Sequence, residues 1–220
     1  MIKTSPLSGI YRDQRVNIVE VSGWHIAGNF GEVAWEIENL EKGSILVDWS
    51  HIGKISLSRG DASSAAEKVL KGSSKIEPLN SITDSKNMVV LRLTKNDYLI
   101  LCQPGMEKSL MEKIDSKITT LIDQSGSTGC LVLGGPRRDE ILERSTAVDL
   151  RRDRVFAGSV IQSSIHTINM TLYRTNNFDI ILHPRNLTES LYDALMDVGI
   201  GVGLIPSGID TIPVSFERDK

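Results

Sequence analysis

The sequence predicts an α+β fold of two fused ferredoxin-like, antiparallel-sheet αβ units, with helices on the outer faces and a central cleft. Three observations predict it. Short alternating or continuous apolar runs, strand-like, are interleaved with segments of helical spacing. The order strand, helix, strand, strand, helix, strand occurs twice, which is the split βαβ plan. The phrase "TKNDYLILCQPGMEKSL" (residues 94–110) returns as "TNNFDIILHPRNLTESL" (residues 175–191), with Tyr98 and Phe178 80 residues apart, Pro104 and Pro184 80 apart, and Leu110 and Leu191 81 apart. Gly60 and Gly135, 75 apart, precede the first helix of each half. Several landmarks that hold nearly one offset imply an internal duplication. The units would be residues 1–53 with 125–220, carrying the N-terminal strands, and residues 54–124.

The first fifty residues read as β, because Val33, Trp35 and Ile37 alternate, as do Ile45, Val47 and Trp49. "KISLS" follows as a strand, and Ala62, Ala65, Ala66, Val69 and Leu70 recur at helical spacing. A polar stretch from Gly72 to Lys86 reads as a loop that could cover a cleft, and "NMVVLRL" and "YLILCQ" form a hairpin around "TKND". Leu110, Met111, Ile114 and Ile118 then line a helix over 105–118, and "TTLID" closes the unit. In the second half "CLVLG" is a strand and "GPRRDEILERS" a helix with Pro136 at its first position. The strand "TINMTLY" turns Ile168, Met170 and Leu172 inward and Thr167, Asn169, Thr171 and Tyr173 outward. "FDIIL", a helix with Leu187, Leu191, Leu195 and Val198 on one side, and a short "VGLI" complete it.

Composition narrows the function classes. With 40% hydrophobic and 24% charged residues the chain is that of a soluble globular protein, without an apolar run long enough to span a membrane. A formal net charge of -3 gives no field that would gather nucleic acid. The start lacks a signal-peptide apolar segment, so a cytoplasmic location is expected. Cys102 and Cys130 sit in apolar runs and read as buried, reduced thiols. His25, His51, His166 and His183 show no metal-ligand spacing, so no metal site is expected. "SGSTG" and "LGGP" read as turns, since they lack the lysine and spacing of nucleotide-binding loops. The six arginines between Arg137 and Arg154 are interleaved with acids, which favours a salt-laced solvated surface over an anion site. "VDWSHIGKISLSRGDA" (residues 47–62) sets Asp48, Ser50, His51 and Lys54 within seven positions. Such groups form either a hydrogen-bonded strand junction or the edge of a site.

That segment carries a resemblance. "DWSHIGKISLSRGDA" is similar to the "DxSHxGKIxVxGxDA" pattern of the aminomethyltransferase family, the T-protein of the glycine cleavage system and its relatives, and "LVLGGPRRDEIL" fits the family's strand, "GP", helix passage. The likeness runs from about Gly23 to Ile209, most of the chain. It implies a folate-binding fold, with tetrahydrofolate in the central cleft as a one-carbon acceptor and without the family's C-terminal barrel. Carried over by position, the resemblance implies Asp84 as the group nearest a catalytic role, and Ser50, His51, Ile52, Asn87, Gln103, Thr175 and Asp179 as cofactor-binding. The family's acidic pair before "MVVLRL" is replaced by Lys86 and Asn87, with Asp84 upstream. Thr175 stands where the "GYTGEDGFE" motif has a folate-gripping Glu, while Phe178 and Asp179 keep its last two positions. "PSGIDTIP" lacks the family's arginine.

A buried heterocycle edge that loses a matched carboxylate loses on the order of 1 to 3 kcal/mol per unpaired group. The expectation is therefore a tetrahydrofolate-binding protein of one-carbon or amine metabolism with weak or no independent aminomethyl transfer. "HTINMTLYRTNNFDIILHPRNLTESLYDAL" resembles the gamma subunit of heterotetrameric sarcosine oxidase. This alternative implies a non-catalytic subunit. The partners implied are flavin-dependent amine oxidase subunits or glycine cleavage components.

Overall fold

A computed structural model describes residues 2–14, 16–70, 76–85 and 87–216, without the side chains of residues 13 and 83–85. Fourteen strands among them form three sheets. The first, small and N-terminal, holds β1 (Lys3–Thr4), β2 (Asn17–Val21) and β3 (Trp24–Asn29) in the order β1-β3-β2. The second contains β4 (Ser44–Asp48), β10 (Thr128–Gly134), β11 (Val160–Ile165), β12 (Ile168–Arg174), β13 (Phe178–Pro184) and β14 (Leu204–Ser207), ordered β11-β12-β13-β10-β4-β14. The third contains β5 (Gly53–Ser58), β6 (Ser81–Ser85), β7 (Met88–Arg92), β8 (Tyr98–Cys102) and β9 (Thr120–Asp123), ordered β6-β7-β8-β5-β9.

The helices α1 (Ser8–Asp13), α2 (Val33–Lys42), α3 (Ala62–Val69), α4 (Glu107–Met111), α5 (Arg138–Ser145) and α6 (Thr188–Gly199) complete the α+β architecture. The chain runs β5-α3-β6-β7-β8-α4-β9 and then β10-α5-β11-β12-β13-α6-β14. The two sheets have the same strand order, apart from β4 inserted between β10 and β14.

Three apolar clusters set the layers. Leu131, Leu133, Leu172 and Ile181 of the six-stranded sheet pack beneath α5 and α6 through Ile141, Leu142, Leu191 and Leu195. Ile55, Leu57, Val90 and Ile100 of the five-stranded sheet pack against α3 and α4. Between the sheets lie Val47, Val132 and Leu182 from one side and Val89, Leu91 and Leu101 from the other. Helices therefore cover the outer faces. The inner faces meet in a core that fills part of the space a cleft would occupy.

Several elements differ from the sequence reading. Val33, Trp35 and Ile37 belong to helix α2, not to a strand: Trp35 and Ile37 are exposed and Glu36 is the buried residue. Three alternating apolar residues mimicked a strand because the polar group between them is the one that faces inward. The N-terminal fifty residues also contain α1. The helix expected over 105–118 ends at Met111 and continues as single turns, with Lys117 N donating to the Asp115 side chain. Helix α5 starts at Arg138, after Gly135 at φ +100°, so Pro136 lies outside it. Part of the expected loop is edge strand β6, and β11 is a further edge strand; both are too polar to show as apolar runs. Tyr173 is buried because its face of β12 meets the other sheet rather than solvent. No helix among the described residues is long and apolar enough to cross a membrane.

Candidate functional site

Strand β4 passes directly into β5 through Trp49–Ile52, so these four residues carry the chain from one large sheet to the other. A sharp crossover breaks the strand ladder, and side chains must satisfy the freed backbone groups. The Asp48 carboxylate accepts from Ser50 N at 2.7 Å, Tyr11 OH at 3.1 Å and Ser5 Oγ. Ser50 Oγ accepts from Cys130 N at 3.0 Å. Lys54, fully buried, donates Nζ to the carbonyls of Ser50 (2.9 Å) and Ile52 (3.0 Å), the groups the turn leaves open.

Burial pushes Lys54 down to about 8, against opposing pulls from Cys130 and Asp48. It also pushes His51 down to about 4, with Asp48 pulling up and Lys54 pushing further down. His183 is lowered to about 4 by the same burial, although its ring nitrogens meet Ile181 O (3.2 Å) and Thr188 Oγ1 (3.0 Å). Both histidines are thus neutral at pH 7. His51 Nδ1 is buried with no hydrogen-bond partner among the described residues. Burial raises the Cys102 and Cys130 thiols to about 12, which fits inert thiols. No group of three metal-ligating side chains occurs among the described residues.

Ile52, Asn87 and Gln103 converge on the same end of the five-stranded sheet, because Gly53 and Met88 both lie opposite Cys102. Gln103 N donates to Asn87 O at 2.9 Å, and Gln103 Nε2 donates to Val214 O at 2.5 Å. The segment 209–216 closes over this end. Trp49 Nε1 donates to Ile212 O at 3.1 Å, and the Trp49 ring lies edge-on to Phe178 at 5.4 Å and Phe216 at 6.2 Å. Asp84 lies on β6, but its side chain is outside the described residues, as is Lys86 altogether.

Thr175 and Asp179 occupy a different place, the β12–β13 hairpin. Thr175 Oγ1 donates to Phe178 O at 2.7 Å and accepts from Phe178 N at 3.0 Å, closing the turn. Asp179, fully buried, accepts from Arg174 Nε (2.9 Å) and Nη2 (3.2 Å), and Arg138 Nε lies 3.3 Å away. Burial raises the Asp179 carboxyl, and the two guanidinium groups pull it back. Ser50, His51, Ile52, Asn87 and Gln103 therefore share one region, while Thr175 and Asp179 stand apart, linked to it through Phe178 and Trp49. Trp49, His183 and Glu36 were not assigned to the site from the sequence, and the 209–216 segment entered only through the arginine that "PSGIDTIP" lacks. For Trp49 the signal was available, inside the quoted "DWSHIGK". The arginine-rich stretch is largely salt-laced surface, as expected, except that Arg138 is buried.

The central cleft exists in part. Beyond the shared core the two large sheets splay into an open groove of about 780 Å³ between β5 and the β7–β8 hairpin on one side and β11, β12 and the end of β13 on the other. None of the sequence-derived site residues lines it.

A family model described as the GCVT N-terminal domain matches residues 7–216. The chain belongs to the GCVT N-terminal domain family. Aminomethyltransferases of Clostridium botulinum and Halothermothrix orenii are 22% and 24% identical to it, each alignment taking in 94% of this chain. The chain spans about three fifths of their length, 61% and 62%. This GCVT-family fold superimposes on the glycine cleavage system aminomethyltransferase T of Bartonella henselae with a TM-score of 0.81 at 14% identity, over 96% of this chain and 61% of that one. It also matches a chain of the heterotetrameric sarcosine oxidase of Corynebacterium sp. U-96, with a TM-score of 0.64 at 19% identity, over 78% of this chain and 93% of that one.

Proposed function

We propose that this GCVT-family domain associates with tetrahydrofolate at the junction end of the five-stranded sheet, in the cytoplasm, and does not itself transfer aminomethyl groups. The observation that carries the reading is the state of the buried carboxylates. Glu36, Asp48 and Asp179 are the buried acids among the described residues, and each is engaged within the protein on both oxygens: Glu36 by four donors, Asp48 by three, Asp179 by two arginines. A general base must reach the proton it takes, and a buried carboxylate held on both oxygens by donors inside the protein is poorly placed to do so. Asn87 offers an amide where the family resemblance implies an acid, and Asp84 is the remaining candidate on that side.

The residues present fit a nitrogen heterocycle in one respect. His51 Nδ1 is one of four buried side-chain polar atoms, with Ser44 Oγ, Arg138 Nε and Arg185 Nη1, that have no hydrogen-bond partner among the described residues, and of the four it is the one at the junction end. In this reading His51, Ser50 and Ile52 wall the site, and Gln103 and Asn87 meet the ligand edge. Thr175 and Asp179 act through the Phe178–Trp49 contact, as positioning residues. The bound folate would supply the one-carbon acceptor.

Calorimetry with tetrahydrofolate tests this. Saturable binding in the micromolar range, weakened in Gln103→Ala and His51→Ala, is expected, with no methylene-tetrahydrofolate formed from a methylene donor. Absence of binding heat up to about 1 mM ligand, or product formation by the chain alone, overturns it.

A second reading rests on a different observation, the match over 93% of a sarcosine oxidase chain. Under it the chain is a non-catalytic, gamma-type subunit of an amine-oxidising flavoenzyme. Sedimentation with purified flavin-dependent amine oxidase subunits would then show a stable complex, and tetrahydrofolate would give no heat with the isolated chain. The shared strand order of the two large sheets further supports descent from one doubled ferredoxin-like unit, with residues 54–124 as one copy and 1–53 with 125–220 as the other.

A further inference from the structure

Strand β9 is an edge of the five-stranded sheet, and one bond fixes which way its backbone groups face. Gln124 N donates to Lys54 O at 2.8 Å, while Asp123 stands opposite Ile55 and Leu121 opposite Leu57. Bonded and non-bonded pairs alternate along an antiparallel ladder. Asp123 and Leu121 are therefore in non-bonded pairs with β5. Their N–H and C=O groups point away from it, with no partner among the described residues. Thr120, Ile122 and Asp123 are exposed, and Leu121 is half-buried.

The other edges of the two large sheets are guarded in the ways that keep strands from pairing with other chains. β6 has a register break between Thr83 and Ser85, and Asn80 just before it bridges to Ser159 of the other sheet. β11 is held by Ser145 and Thr146, which bond His166 N and Ser164 O. β14 contains Pro206, and the chain leaving it bonds to Ala27 and Gly28 of β3. β9 follows α4 as β14 follows α6, yet it has no proline, glycine, lysine or bulge. Beside it runs a groove of about 790 Å³ whose apolar lining is Met111, Ile114 and Leu121, with Lys108 and Glu112 at its rim.

We infer that β9 pairs antiparallel with β9 of a second copy of this chain, joining two five-stranded sheets across a two-fold axis at Leu121. An axis normal to the sheet sets each residue opposite one that faces the same side, which leaves few registers. An axis at Asp123 would oppose two carboxylates, and one at Ile122 would set each Asp123 against Leu121 of the other copy. One at Thr120 would oppose the strand to the turn before it. The axis at Leu121 avoids all three. The two Leu121 residues exchange N–H···O=C bonds, Thr120 stands opposite Ile122, and Asp123 falls opposite Thr119, two residues from Lys117. Opposite charges thus approach, and like charges do not meet along the strand. Leu121 of the second copy projects on the helix side, toward the groove that Met111 and Ile114 line. None of the residues assigned to folate belongs to β9, so the pairing is independent of the proposed function.

Sedimentation equilibrium of the full chain tests it, and a monomer–dimer equilibrium with a Kd below about 500 μM is expected. Thr120→Lys and Ile122→Lys, both at exposed edge positions, should each weaken association about tenfold or more and leave the melting temperature of the dilute monomer unchanged. If one of them fails to fold, the other decides. Leu121→Cys under copper-phenanthroline oxidation should give a reducible covalent dimer, because a bonded pair brings Cα atoms to about 5.5 Å, within disulfide reach. Asp123→Cys should not, and the native Cys102 and Cys130 are buried. The inference is overturned if no dimer of that affinity forms, including the case in which a strand of a different protein takes this edge while the chain alone stays monomeric. It is equally overturned if a dimer forms that neither lysine variant weakens, or if Asp123→Cys cross-links as readily as Leu121→Cys.

Discussion

Lys54 Nζ lies 2.9 Å from the carbonyl oxygen of Ser50, four residues back along the chain, with both residues out of contact with solvent. No carboxylate pairs with this ammonium among the described residues; two carbonyl dipoles hold it. Its depressed pKa, about 8 against 10.5, means that the unfolded chain binds the proton more tightly than the folded one. Stability must therefore rise with pH between these values, since unfolding takes up a proton there. Below pH 8 the full cost of burying the charge is present. On the order of 2 kcal/mol should be recovered by pH 9.5. Urea unfolding at pH 6.5 and 9.5 measures this. Lys54→Met should flatten that slope and be most destabilising at the higher pH, where only the lost donors count. A wild-type slope equal to that of the variant would refute the assignment.

The two neutral histidines act in the acid range. His51 and His183 have folded pKa values near 4, below the ordinary 6.5. Each contributes stability that is present above pH 6.5 and is lost as pH falls toward 4, where the unfolded chain is protonated first. The loss is on the order of 2 to 3 kcal/mol per histidine once pH 4 is reached. His51→Asn and His183→Asn should each shallow the acid limb of a stability curve measured from pH 7.5 to 4. If the curve is flat over that interval, the rings are not buried as described.

How much of this was legible follows from where the partners sit. Helix α3 could be read because Ala62, Ala65, Ala66 and Val69 lie within one segment and all face one cluster. The alternation of β12 was equally plain, but not the fate of its second face: Tyr173 meets a sheet formed by a distant stretch, while Asn169 and Thr171 face the groove. Asp48 and Lys54 were visible as a polar junction. The role of Asp48 depended on Tyr11 and Ser5, and that of the neighbouring Ser50 on Cys130, which no local pattern connects to them. Asp179 was read as a ligand-binding group because position within a motif does not reveal that Arg138 and Arg174 converge on it. A local pattern reports periodicity; it cannot report which remote donor satisfies a buried acid.

That pairing makes Asp179 testable. Removing one member of a buried charge group leaves the others uncompensated, typically at a cost of about 3 to 5 kcal/mol. Asp179→Asn should destabilise by that amount in chemical denaturation, since two buried guanidinium groups lose their shared anion. Adding Arg174→Met to Asp179→Asn should recover part of the loss. Additive losses in the double variant would show that the two side chains do not interact as placed.

Glu36 ties the segment that closes the junction end to the rest of the molecule. Its carboxylate accepts from Phe30 N (2.6 Å) on one side and from Ser207 Oγ (2.5 Å), Gly208 N (3.0 Å) and Thr211 Oγ1 (2.7 Å) on the other. Gly208 is pressed so tightly against Gly28 that a Cβ there would sit 1.9 Å from a carbonyl oxygen, so the segment cannot shift toward β3 to compensate. Glu36→Ala leaves four donors unpaired and should cost about 3 kcal/mol or more. Glu36→Gln, which keeps two acceptor lone pairs on one oxygen, should cost less. Loss of the anchor frees residues 207–216 before it unfolds the sheets, so amide exchange should accelerate at Gly208, Ile209 and Thr211 well ahead of Val132 or Leu101. The emission of Trp49, held against Phe216 and Ile212 by the same segment, should shift to the red in Glu36→Ala under native conditions. Uniform acceleration across the whole chain would instead mean that Glu36 stabilises the fold globally and does not act as a local tether.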